Sequence, residues 1–270
     1  MTPRQRKTLV LVALLVVVAG LSFERQRERA ARQLLLDELR PVALTNCVFE
    51  RLGSRADGGY LACANLIDGA QSIYSYGIEG RDDWGCEVAK RLKTPAHEYD
   101  CFDTREPSCA GGELVFHAEC VGASPQTIDG RPFDSVERQL VKNGDAGKRL
   151  MVKMDVEGAE YESLLAMSDA QLGQIEQLVI ELHRVNGPEA LALVRRLKQS
   201  FWVADLHFNN FSCDSRPEFL SSLSPFPALA YEVLFVNKRL ATADPARKVT
   251  LPNPLAAPND PALADCQGSS

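Results

Sequence analysis

The chain has 270 residues and a formal net charge of −6 at pH 7. A general nucleic-acid-binding protein needs a basic face, so this acidic balance argues against that class of function. Hydrophobic residues make up 45% of the chain and charged residues 24%, a composition typical of a folded globular protein long enough for one α/β domain with short extensions.

The first 29 residues predict a membrane anchor followed by a charged flank. Residues 8–23 carry no charge and lie between two groups of basic residues. As a helix this segment would be roughly 24 Å long, against a hydrocarbon core of about 30 Å, and the flanking arginines can reach the interface. A cleaved signal peptide is the alternative. Because basic residues lie on both sides, the positive-inside rule assigns no orientation.

The eight cysteines of the chain bear on the redox state of its compartment. Their even number behind a hydrophobic leader is typical of an oxidising compartment, although spacing does not fix their pairing. We therefore expect a single-pass membrane protein, either in a lumen of the Golgi or endoplasmic reticulum type or at a bacterial inner membrane. The absence of a Cys-x-x-Cys pair argues against a structural zinc site.

From residue 30 to residue 240, apolar runs of strand length alternate with helical patterns. A helix over 30–39 and a hairpin over 52–64 come first. The predicted strands that follow are 72–78, 96–102, 114–121, 149–156, 178–182, 201–206 and 231–236. The predicted helices are 84–92, 133–142, 160–167 and 188–199. This alternation predicts an α/β fold with a mostly parallel sheet covered by helices on both faces. Residues 241–270, rich in Pro, Ala and Asp, are predicted to form a disordered tail.

Ligands bind beyond the carboxyl ends of the strands in such a sheet, so the residues after each strand are the first candidates. Tyr76, Gly77 and Gly80 form the turn after the first strand of the sheet, where glycines let a cofactor approach the backbone. Asp100 or Asp103, after the second strand, could accept a pair of ribose hydroxyls. A plain tight turn and a turn-capping carboxylate are the structural alternatives.

The segment Val152–Glu160 carries the strongest signal. Its apolar strand ends in Asp155 and Glu157, and carboxylates at that edge need a cation, a hydrogen-bond donor or water. Glu157 and Glu160 could simply complement the N-terminus of the following helix. Asp155, at the end of a central strand, is better explained by function.

Three further residues are expected at the same edge of the sheet. Glu181 and His183 follow the next strand and share one side of it by alternation, and His207 follows a later one. Imidazoles beside a carboxylate are typical of a general base or a metal site. Asp155, His183 and His207 are therefore the predicted catalytic residues, and Asp155, Glu181 and His183 could share a divalent metal ion.

Several segments together resemble the FkbM-type class I methyltransferases and related methyltransferase-like proteins of the secretory pathway. The resemblance covers roughly residues 47–238. The matching segments are Asp57–Tyr60, Ile73–Ile78, Lys153–Glu160, Ile180–His183, His207–Asn210 and Tyr231–Val233.

The resemblance implies a Rossmann-like, seven-stranded sheet with its last strand antiparallel and S-adenosylmethionine as methyl donor. It also implies methylation of a hydroxyl on a sugar or another small acceptor. By position, Gly77 and Gly80 would approach the methionine part of the donor, Asp100 or Asp103 its ribose, and Asp155 the reacting methyl group. Glu79 and the charged residues 81–83 depart from the usual glycine-rich loop.

For an alcohol acceptor we expect His183 or His207 to act as base, with Asp155 orienting it or sharing a metal ion. Two other functions compete with this interpretation. One is a metal-dependent hydrolase that uses Asp155, Glu157, His183 and His207 as ligands. The other is a catalytically inactive, methyltransferase-like binding module, which the departures around Glu79 motivate.

Overall fold

The computed structural model describes residues 20, 22–23, 26–27, 30–185, 187–213, 228 and 230–266. Most of the predicted anchor and of its charged flank lies outside these residues. Within the described part of the chain, no helix is both long enough and apolar enough to cross a membrane. The segment 30–38 is helical, close to the predicted 30–39.

The strands, numbered in chain order, are β1 Phe49–Gly53, β2 Gly59–Cys63, β3 Ser72–Tyr76, β4 Ala96–Tyr99, β5 Leu114–His117, β6 Cys120–Gly122, β7 Gln126–Ile128, β8 Arg131–Ser135, β9 Leu150–Met154, β10 Ile175–Leu182, β11 Phe201–Phe208 and β12 Tyr231–Asn237. The α-helices between and after them are α1 Asp83–Leu92, α2 Val136–Lys142, α3 Glu160–Ala166, α4 Asp169–Gln174 and α5 Pro188–Ser200. Short 3-10 helices cover Ala64–Leu66 and Asn210–Ser212.

A seven-stranded sheet in the order β5-β4-β3-β9-β10-β12-β11 forms the centre of the domain. Neighbouring strands from β5 to β10 run parallel, whereas β12 is antiparallel to both β10 and β11. The predicted α/β architecture with a mostly parallel sheet is therefore confirmed, and the last strand is antiparallel. β9 and β10 are buried along their whole length, as expected for apolar strands covered on both faces.

Side-chain alternation divides the core into two layers. On one face of the sheet, residues such as Tyr74 and Val152 belong to a core that also includes apolar side chains of α2 to α5. On the other face, Met151 and Val179 belong to a core with α1 and with the β1–β2 hairpin. This second face, which we call the hairpin face, is where the polar groups described below are found.

Two predicted elements differ from the structure. The predicted strand 114–121 is two strands, β5 in the main sheet and β6 in a small sheet of order β6-β8-β7. The predicted helix 133–142 is the end of β8 followed by α2, and the break falls at Ser135, whose hydroxyl accepts a hydrogen bond from the amide of Arg138 at 3.4 Å. A serine at this position is a helix N-cap, so the helix cannot extend back into the strand.

All eight cysteines are paired. The disulfides are Cys47–Cys63, Cys86–Cys109, Cys101–Cys120 and Cys213–Cys266. Cross-links of this kind stabilise a fold mainly by restricting the unfolded chain.

Residues 241–266 pack on the domain, so the prediction of a disordered tail is wrong for them. The indole of Trp202 donates to the carbonyl of Ala241 at 3.0 Å, and Asn259 is buried. Cys266 is covalently held by Cys213. Apart from the burial of Ala241 and Cys266, polar contacts and a disulfide hold this segment, so its composition gave no sign of order.

Candidate functional site

The carboxyl ends of β3, β9 and β10 meet at one edge of the sheet, which we call the carboxyl rim. Asp155 comes directly after β9, and His183 comes directly after β10. Because Met154 pairs with Ile180, these two strands end close to one another. The rim is the position at which open parallel sheets bind their ligands.

Asp155, Glu181 and His183 come together at the rim. His183 Nε2 lies 3.7 Å from Asp155 Oδ1 and 3.5 Å from Glu181 Oε1. One potential ligand atom from each of the three residues lies within 4.8 Å of the other two. Two carboxylates and an imidazole in this arrangement could hold a divalent cation.

Four carboxylates surround the His183 ring. Besides Asp155 and Glu181, Glu157 Oε1 lies 3.6 Å from Nε2, and Glu160 Oε1 lies 3.5 Å from Nδ1. Burial alone would lower the pKa of His183, but the carboxylates of Glu160, Glu181 and Asp155 outweigh it and raise this pKa above its usual value. His183 therefore carries its proton near neutral pH.

Glu181 occupies the interior of the cluster. Burial raises the pKa of its carboxyl, and the nearby charges of Asp155 and Glu232 raise this pKa further. Asn209, just after β11, donates from Nδ2 to Glu181 Oε1 at 2.7 Å. The cluster therefore continues along the hairpin face from β10 to β12 and β11.

Glu160, in the first turn of α3, is buried and connects two backbone segments. It accepts from the amide of Gly158 at 2.7 Å and from the amide of His183 at 2.6 Å. The bond from Gly158 is the one expected if Glu160 simply complements the N-terminus of the helix. The second bond fixes the backbone of His183 relative to the turn after β9.

Asp155 is held from the side of the hairpin. The hydroxyl of Tyr60, in β2, donates to Asp155 Oδ2 at 3.1 Å. Lys153 Nζ lies 3.8 Å from the same oxygen and donates to the carbonyl of Gly77 at 2.5 Å. Burial alone would lower the pKa of Lys153, but the surrounding carboxylates, Asp155 first among them, raise it. One oxygen of Asp155 is thus held by neighbours while the other faces His183.

His207 lies farther along the hairpin face and is already paired. Its Nδ1 lies 2.9 Å from Glu232 Oε2, and its Nε2 lies 3.2 Å from Asp265 Oδ1. With a carboxylate at each ring nitrogen, His207 presents no free nitrogen to a substrate, so the structure does not support its predicted role as base.

The backbone conformation and close packing of the turn after β3 explain its glycines without a ligand. Gly77 and Gly80 both have positive φ, 73° and 75°. A Cβ on Gly77 would lie 1.6 Å from the carbonyl oxygen of Asp155, so only glycine fits there. The Tyr76 side chain lies in the core, with its ring 5.1 Å from that of Tyr99, and cannot contact a ligand at the rim.

Asp100 and Asp103, the two candidates for ribose binding, differ in environment. Asp100 accepts four backbone amides, from residues 78, 79, 102 and 103, at 2.8–3.1 Å. A carboxylate has about four acceptor sites, so Asp100 is fully used in shaping the turn. Asp103 pairs with exposed Arg105, which lowers the pKa of its carboxyl to about 2. Of the two, Asp103 is the one that remains accessible.

Several residues of the site were not predicted. Tyr60 follows the Asp-Gly-Gly turn, and Asn209 lies two residues after His207 on the same side of the chain, so both carried a weak signal. Glu232, in β12, lies opposite Glu181 of β10 and opposite His207 of β11. This position follows from the order of the strands in the sheet, which the sequence does not show. Asp265 and Asn259 come from the segment predicted to be disordered, and no pattern indicated them.

Comparisons of the chain with protein-family models, with curated proteins and with solved structures gave no match. The interpretation of the site therefore depends on its own geometry and chemistry.

Proposed function

We propose that this chain is an S-adenosylmethionine-dependent methyltransferase that acts on a hydroxyl group of a sugar or another small acceptor. The observation that carries the proposal is the position of the Asp155–Glu181–His183 cluster beside the turn after β3, at the carboxyl rim of one parallel sheet. The Rossmann-like order of strands, with β12 antiparallel, supports it.

The charges at the rim fit the cationic part of the donor. S-adenosylmethionine carries a sulfonium and an ammonium group, and the carboxylates of Asp155 and Glu157 lie at the rim, beside Lys153 and His183, where they could pair with these groups. Asp103 would hold the ribose by exchanging its contacts with Arg105 for the ribose hydroxyls, since the four amides bound to Asp100 shape the turn. The donor supplies an electrophilic methyl group, and alignment of the acceptor is the main task left to the protein.

Asp155 is the better candidate for the base. His183 holds a proton near neutral pH because carboxylates surround it, so it is suited to orienting an acceptor oxygen by donating a hydrogen bond. Asp155 Oδ1 faces His183, and its side chain is 25% exposed, so a hydroxyl can reach it. Tyr60 and Lys153 keep the carboxylate in this orientation.

A divalent cation held by Asp155, Glu181 and His183 is a second way to activate the hydroxyl. The convergence of their ligand atoms within 4.8 Å favours it. A cation there would stabilise the alkoxide directly. The same triad would serve a metal-dependent hydrolase, whose activity would require metal but no methyl donor.

The proposal is tested by donor-binding calorimetry on the full chain, followed by product assays over a panel of sugar and small-alcohol acceptors, with and without Mg²⁺, Mn²⁺ or Zn²⁺. We expect the wild-type chain to bind S-adenosylmethionine. Asp155→Asn and His183→Gln should abolish turnover while the circular dichroism spectrum is unchanged. Asp68→Asn, which alters an exposed carboxylate before β3, is the matched control and should remain active.

Absence of donor binding by the folded wild-type chain would contradict the proposal and favour the binding module. Donor-independent, metal-dependent hydrolysis would favour the hydrolase. Normal turnover in both the Asp155 and His183 variants would remove these residues from the mechanism.

A further inference from the structure

The other two of the four histidines form a pair on the opposite face of the sheet. His97 in β4 and His117 at the end of β5 point to the face opposite the hairpin, and their rings contact Tyr74 and Tyr99. Their nitrogens, His97 Nδ1 and His117 Nε2, lie 3.1 Å apart. This pair is separate from the carboxyl-rim cluster, and its interpretation does not depend on the proposed function.

The separation of the two nitrogens is close to that of two ligands on one metal ion. Nitrogens bound at 2.0–2.1 Å to a tetrahedral zinc ion lie about 3.4 Å apart, so a shift of a few tenths of an ångström would admit the ion. Imidazole is a ligand suited to zinc, copper and nickel. The side chain of His97 is 15% exposed, so solvent and ions can reach the pair.

Asp145 lies beside His97 Nε2, the ring nitrogen that does not face His117. His97 Nε2 lies 3.4 Å from Asp145 Oδ2, and a carboxylate at this nitrogen favours the tautomer with the proton on Nε2 and the lone pair on Nδ1. Asp145 is itself fixed, because Ser72, Tyr74 and Lys148 all donate to it. A carboxylate that orients a histidine, whose other nitrogen faces a second histidine, is an arrangement typical of a metal site.

We propose that His97 and His117 bind a divalent transition-metal ion, Zn²⁺ or Cu²⁺, with Asp145 orienting His97 and water completing the coordination. Such an open site would lie between the edge strand β5 and its neighbour β4.

The test uses the full chain with its disulfides intact and zinc chloride alone as the probe. In a His183→Ala/His207→Ala background, His97 and His117 are the only histidines left, so a Zn²⁺ site with imidazole ligands in calorimetry must be this pair. Adding His97→Ala or His117→Ala should weaken binding at least tenfold. Asp145→Asn should weaken it about 10–100-fold, the usual effect of losing the carboxylate that orients a metal-binding histidine. Cu²⁺ in the same background should give an electron paramagnetic resonance spectrum with coupling to two nitrogens.

A measurement on the wild-type chain avoids dependence on the folding of the variants. Zinc titration followed by histidine-ring nuclear magnetic resonance should shift the His97 and His117 signals together. Zinc affinity unchanged by His97→Ala and His117→Ala, or ring signals of both residues that do not move at saturating zinc, would show that the pair is only a hydrogen bond and overturn the proposal.

Discussion

The hydroxyl of Tyr60 donates to Asp155 Oδ2 at 3.1 Å, and this bond joins the β1–β2 hairpin to the carboxyl rim. Tyr60 is buried, so its hydroxyl has no access to water as an alternative partner. The hairpin is therefore a structural part of the site, because it determines which oxygen of Asp155 is available to His183.

Tyr60→Phe should reduce stability by about 1.5–3 kcal/mol, the usual value of a hydrogen bond to a charged group. Urea unfolding with the disulfides intact measures the change. Tyr76→Phe is the matched control, since its hydroxyl is buried and the described residues offer it no partner. The control should be neutral or slightly stabilising. Equal effects of the two substitutions would show that the Tyr60–Asp155 bond contributes nothing.

The rim cluster could be predicted from the sequence because the ends of two strands and side-chain alternation determine it. Asp155 ends a buried strand, and Glu181 and His183 are two residues apart, which places them on one side of the next strand. The parallel pairing of β9 and β10 then brings the groups together. Side-chain alternation and the positions of the strand ends thus predicted the group Asp155, Glu181 and His183 at the centre of the site.

What the sequence did not reveal depends on long-range pairing. Asp265 reaches His207 across 58 positions of chain, and Asn259 donates to Glu232 at 2.6 Å. These contacts arise from a segment whose composition is that of a disordered tail and whose order comes from polar contacts and the Cys213–Cys266 disulfide. Likewise, Asp100 has the predicted position of a ribose ligand but serves the backbone of the turn, because it lies just after β4, where strand alternation no longer predicts what a side chain contacts.

The pH dependence of stability should reveal the buried pair of Glu181 and His183. Both have pKa values raised in the folded state, Glu181 by burial and by neighbouring charges, and His183 by its carboxylates in spite of burial. The folded chain therefore holds more protons than the unfolded chain, and their contribution to stability is lost as pH rises. Urea unfolding between about pH 5 and pH 9 should show this decline.

The decline should become shallower in Glu181→Gln and in His183→Gln. Glu113→Gln changes an exposed carboxylate before β5 and should leave the slope as in the wild-type chain. A wild-type slope retained in both rim variants would mean that other groups cause the pH dependence.

Asp100→Asn should destabilise the turn after β3. An amide has one acceptor oxygen, so at least one of the two sets of backbone amides loses its partner and faces an NH₂ group. We expect a loss of about 2–3 kcal/mol in urea unfolding, since leaving buried donors unsatisfied is costly. Asp103→Asn removes only an exposed ion pair and should change stability little. If Asp103→Asn were instead the more damaging substitution, the structural role assigned to Asp100 would be wrong.

The pairing of His207 with Asp265 predicts that the C-terminal segment controls a titration on the hairpin face. Burial alone would lower the pKa of His207, but Glu232 and then Asp265 raise it above its usual value. Asp265→Asn should lower this pKa, and Glu232→Gln should lower it further, as followed by nuclear magnetic resonance of the histidine ring. The double variant Cys213→Ser/Cys266→Ser should act like Asp265→Asn, because the disulfide holds Asp265 next to the ring. Titration of His97 provides the internal control, since it lies on the other face of the sheet. If His207 titrates identically in the wild-type chain and in Asp265→Asn, the C-terminal segment does not contact this histidine in solution.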